Sequence, residues 1–216
     1  MNQAHTETTP FYVRIPARIL SYIFHPLFIP TYIFLWLMFR FPFEFAGIDE
    51  RTLKFRLFSV FWMTAFFPAF AVFLMWRLKL VQNIFLRTQQ ERIAPYIISM
   101  IFYWWMWYLS RNFTDQPLAL RFFYLGIFFA TILALILNNF LKISMHAMGV
   151  AGALTCVLLA CFLYRSYEGS DLVIATLLTG LVATARLVLN DHTTREIYTG
   201  LFVGIFCQLL AYLIVA

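Results

Sequence analysis

Apolar runs close to 20 residues long recur from Ile19 to the end of the chain, parted only by short polar breaks. A run of that length spans the hydrocarbon core of a bilayer as a helix. Composition agrees with this. The chain is 62% hydrophobic and 12% charged, whereas a soluble domain carries about 25% charged residues. Mean hydropathy is +0.79. The pattern predicts an all-α, polytopic transmembrane helix bundle and an integral membrane protein.

Seven spans are predicted, near 19–39, 57–76, 95–110, 120–140, 147–164, 172–189 and 197–216. The third, "PYIISMIFYWWMWYLS", is short and aromatic, and a re-entrant course there would leave six. The stretch from Ile19 is too long and continuous for a signal-peptide core and reads as the first span. Pro26, Pro30 and Pro68 fall inside spans and are expected to kink them. With no repeat and no soluble segment, residues 1–216 read as one membrane domain.

A formal charge of +6 does not point to nucleic acid. The basic residues sit between spans, where they set topology and meet lipid headgroups. Cys156, Cys161 and Cys207 lie inside apolar segments without C-x-x-C spacing, so neither a disulfide, a metal nor another cofactor is expected.

Seven spans put the N-terminus and the connections 77–94, 141–146 and 190–196 on one side of the membrane. That side gathers Arg87, Glu91, Arg92, Lys142, Ser144, His146, Arg186, Asp191, His192, Arg195 and Glu196. An ionised side chain at the bilayer centre costs about 2.5–3.5 kcal/mol on insertion scales, and less toward the interface. Arg186 and His146, at span ends, are placed to line a polar rim. Three stretches far apart in sequence are thus expected to converge on one face.

At these residues the chain resembles the type 2 phosphatidic acid phosphatase (PAP2) superfamily, over roughly 87–204. That family carries three motifs in order: Lys, six residues, Arg-Pro; Pro-Ser-Gly-His; and Ser-Arg, five residues, His, three residues, Asp. "ARLVLNDHTTRE" places Arg186, His192 and Glu196 at the third spacing, with Ala185 for serine and Glu196 for aspartate. "ISMH" matches the second at Ser144 and His146, with Ile143 and Met145 for proline and glycine. "RTQQERIAP" puts Arg87 at the lysine position of the first and Pro95 at its proline. Ala94 stands where the arginine belongs, and Arg92 lies two residues earlier.

The resemblance implies metal-free hydrolysis of a lipid phosphate through a phosphohistidine. His192 is then the nucleophile, Glu196 its orienting carboxylate and His146 the general acid and base. Arg186, Ser144, Arg87 and Arg92 hold the phosphoryl group. It also implies an active site on the external face of a plasma or inner membrane. Two alternatives stay open, the first motivated by the departures at Ala94, Ala185, Ile143 and Met145. One is a catalytically weak relative that binds lipid phosphate for scaffolding or transport. The other is a small transporter using His and Arg as a relay.

Overall fold

The structure, a computed structural model, describes residues 10–82, 88–166 and 169–216, and every regular element among them is helical. The helices are α1 (Phe11–Ile23), α2 (Ile29–Arg40), α3 (Glu50–Phe61), α4 (Phe67–Arg77), α5 (Gln89–Asn112), α6 (Leu118–Leu137), α7 (Met145–Leu163), α8 (Ser170–Val188) and α9 (Thr194–Val215). Six segments are long and apolar enough to cross a membrane: Phe11–Arg40, Glu50–Arg77, α6, α7, α8 and α9. The chain is an integral membrane helix bundle.

The aromatic third segment is one unbroken helix, α5, rather than a re-entrant hairpin. Its 24 residues extend about 36 Å at 1.5 Å per residue, enough to cross. It starts six residues before the expected position, because Thr88 and Glu91 form a reciprocal capping box at its N-terminus.

The first span departs most from expectation. One helix over 19–39 was expected, but α1 stops at Ile23 and α2 begins at Ile29. Pro26 has no N–H and pushes the residue before it out of the helical region. His25 is accordingly extended, with ψ 136°, and a 3-10 turn follows over Pro26–Phe28. Pro30 does not kink a helix interior but sits in the first turn of α2, where a missing N–H costs nothing. Pro68 follows a single π turn over Trp62–Phe66 that joins α3 to α4, the usual device for passing an irregularity through a helix.

α2 is tied at its far end to the start of α8. Arg40 Nε donates to Asp171 Oδ2 at 2.7 Å, and Trp36 Nε1 donates to Asp171 Oδ1 at 3.1 Å. His25 therefore lies toward the opposite face, near the start of α7.

α6 and α7 form the centre, with Leu120, Phe122, Phe123, Tyr124 and Cys156 fully buried. α7 and α9 approach closely through small residues, as helices without a hydrophobic drive between them do in lipid. A Cβ on Gly200 would stand 2.7 Å from the Ser144 carbonyl, and one on Gly204 would collide with the Met148 carbonyl. Gly204→Ala is expected to force the two helices apart and cost about 1–3 kcal/mol, as overpacking does. Gly180→Ala, with open space around it, is the control and should hold or raise stability. Thermal unfolding of both variants in detergent checks this.

Candidate active site

Three helix starts and one helix end meet at the face where the polar connections were expected to gather. Each start is marked by its sequence. Thr88 with Glu91 caps α5, Ser144 caps α7, and Thr193 with Glu196 caps α9. Backbone acceptors stitch them together. Asn138 Nδ2 donates to Gln89 O at 2.8 Å, and Arg92 Nη1 donates to Ile143 O at 3.2 Å. Lys142 Nζ donates to Asp191 O at 3.2 Å, and Ser144 N donates to Glu196 O at 3.3 Å. The connections before α5, α7 and α9 thus lie on one side.

His192 is held at one nitrogen. Its Nδ1 is 3.1 Å from Lys142 O and 3.1 Å from Glu196 Oε2. A carbonyl and a carboxylate only accept, so Nδ1 carries the hydrogen and donates to both. The lone pair then resides on Nε2, since both hydrogen bonds that the ring makes among the described residues are at Nδ1. Glu196 Oε2 is itself fixed, because it accepts the Thr193 N–H at 2.9 Å as part of the capping box. The cap that starts α9 thereby also orients the imidazole. Burial, with the positive charges of Arg92 and Arg186 behind it, lowers the His192 pKa from 6.5 to about 4 against the opposing pull of Glu196. The ring is neutral at physiological pH.

Arg186, at the end of α8, pairs through Nη2 with Asp191 Oδ2 at 2.8 Å. Its buried Nε has no partner. Arg92, on the first turn of α5, is buried and turned toward the same cluster. Burial and the neighbouring Arg92 hold the Lys142 pKa below its usual range, opposed by Glu196 and Asp191. An open groove of about 560 Å³ adjoins the cluster on the water side, lined in part by Gln89, Lys142, Thr193, Arg195 and Glu196.

His146 lies on the first turn of α7. Its Nε2 is 3.1 Å from Ser21 O, an acceptor, so Nε2 carries the hydrogen and Nδ1 the lone pair. Arg186, His25 and His192 all lie within electrostatic reach of this ring.

Two expected phosphate ligands stand differently. Ser144 is fully buried, and its Oγ accepts the Ala147 N–H at 3.4 Å, so in this state it caps α7 rather than facing a ligand. Arg87 lies outside the described residues. Sequence reasoning missed His25, whose ring packs edge-on against His146 with centroids 5.2 Å apart. The His25-Pro26 pair breaking an apolar run was the signal for it. Among the described residues, no trio of His, Cys, Asp or Glu gathers to hold a metal ion. No family model matches this chain, and no curated protein and no solved structure matches it.

Proposed function

We propose that the protein removes phosphate from a membrane lipid by way of a phosphohistidine at His192. The observation that carries this is the imidazole itself: neutral, donating from Nδ1 to a fixed carboxylate, and presenting a free Nε2 beside two arginines. A nucleophile oriented by a third group is the arrangement covalent catalysis requires.

The reaction runs in two steps. As the anionic phosphate binds, His146 takes up a proton at Nδ1 from water; His192 Nε2 then attacks phosphorus while the bond to the lipid oxygen breaks, and that oxygen takes the proton from His146 Nδ1. The phosphoimidazole left behind is cationic, and Glu196 stabilises it through Nδ1–H. Water then attacks phosphorus and yields a proton to His146. The P–N bond breaks, releasing inorganic phosphate and restoring His192. Arg186 leaves Asp191 to grip two phosphoryl oxygens with its planar fork, and Arg92 adds a second charge. Catalysis of this kind is mostly positioning and electrostatics. The site opens at the end of the spans, so a lipid headgroup reaches it with the acyl chains still in the bilayer. Phosphatidic acid, phosphatidylglycerol phosphate and polyprenyl diphosphate are the candidate substrates.

A second reading, a lipid-phosphate binder that does not turn over, draws on the burial of Ser144 and the engagement of Arg186 by Asp191. Phosphate release by the purified protein from these three lipids, with chelator present, separates the two readings. The phosphatase reading expects turnover unaffected by chelator, and binding without release favours the second.

The pH profile is a sharper check. The nucleophile must be unprotonated, so the acid limb of kcat/KM is expected near pH 4 instead of 6.5. Stability carries the same sign. The folded pKa lies below the unfolded value, so the His192 contribution is complete above about pH 6.5 and is lost as pH falls toward 4.

A further inference from the structure

The three motif stretches lie wholly after residue 86, yet the structure brings the break between α1 and α2 against His146. We infer that His25 is a positioning residue that holds the general acid His146 in place. This rests on the phosphatase reading above.

Two contacts from one short segment hold the His146 ring. Ser21 O takes the hydrogen of its Nε2 at 3.1 Å, which makes Nδ1 the nitrogen free to exchange protons with substrate. A ring held at one nitrogen still pivots about that bond. The imidazole of His25, edge-on at 5.2 Å and 85°, closes the direction of that pivot.

His25 is itself anchored. Its Nδ1 accepts the Leu27 N–H at 3.4 Å, its ring meets Phe28 at 6.3 Å, and Pro26 fixes the chain beside it. Pro26 also packs on α7 one turn beyond His146, since a Cβ on Gly149 would lie 3.5 Å from Pro26 Cβ. The break and the acid are thus locked to each other on both sides. The charged group facing the two rings is Arg186, from α8, and the buried Ser21 hydroxyl beside them has no partner.

The test uses His25→Asn. Asparagine keeps a side-chain acceptor for the Leu27 N–H and so keeps the turn, but removes the ring. With a lipid phosphate in mixed micelles, kcat/KM, which reports the first step, is expected to fall by up to about 10²-fold, the scale of a 1 Å misplacement. With nitrophenyl phosphate, whose leaving group needs no proton, the loss should be far smaller. Adding His25→Asn to His146→Ala should cost nothing further, since the residue acts through the one already removed. Wild-type kcat/KM in His25→Asn on lipid overturns this role. So does an equal loss on both substrates, which marks a merely structural residue, or a double variant whose losses multiply. Absence of hydrolysis by the unaltered protein overturns the phosphatase reading and this role together.

Discussion

Purified His192→Ala is expected to release no phosphate from any of the candidate lipids and to form no phosphoenzyme. Its ring is neutral, makes both its hydrogen bonds among the described residues at Nδ1, one of them to a carboxylate, and so leaves Nε2 for phosphorus. The variant should remain folded. The cap of α9 does not depend on the imidazole, because Thr193 and Glu196 close it between themselves. Losing the ring frees Lys142 O and one Glu196 contact at a site that borders water, so the expected stability loss is about 1–3 kcal/mol. An inactive protein that melts near the unaltered one locates the defect in chemistry. Full turnover in this variant removes the nucleophile assignment.

His146→Ala is expected to keep the nucleophile and lose the acid. Lipid alkoxide is a poor leaving group, so hydrolysis of lipid phosphates should drop by about 10²–10⁴-fold, the usual range for general acid help. Nitrophenyl phosphate leaves without a proton and should suffer much less in the first step. Steady-state kinetics on the two substrates measure the contrast. Equal losses in kcat/KM, which reports the first step without the shared second one, would mean that His146 is not the acid.

Helix positions and their sides were legible in the sequence because lipid imposes one rule on every span: an apolar run with its polar residues at the ends. That rule was enough to gather Arg92, His146, Arg186, His192 and Glu196 on one face. The pairing of His192 with Glu196 was also legible, since residues four apart share a helix face. Their contact in fact arises one step earlier, at the capping box, where Glu196 folds back over the start of α9.

What escaped sequence reasoning were contacts between distant segments. The apolar run through Ile23 and Ile29 hid the break that brings His25 and Ser21 to His146. The burial of Ser144 follows from how tightly Gly200 lets α9 press on α7, which no motif records. The engagement of Arg186 by Asp191 depends on the turn after α8, where Asn190 adopts positive φ and directs the chain back. Spacing alone placed Asp191 near Arg186 without showing that it would occupy the guanidinium.

The central claim is a covalent bond between phosphorus and His192. It is tested most directly by mixing the purified protein with radiolabelled lipid phosphate, quenching in alkali, which preserves the acid-labile P–N bond, and mapping the labelled peptide. Label on the peptide holding His192, absent in His192→Ala and undiminished by chelator, is the result expected. Lipid phosphate hydrolysed at full rate with no protein-bound label at any time point, or label retained in His192→Ala, would contradict it.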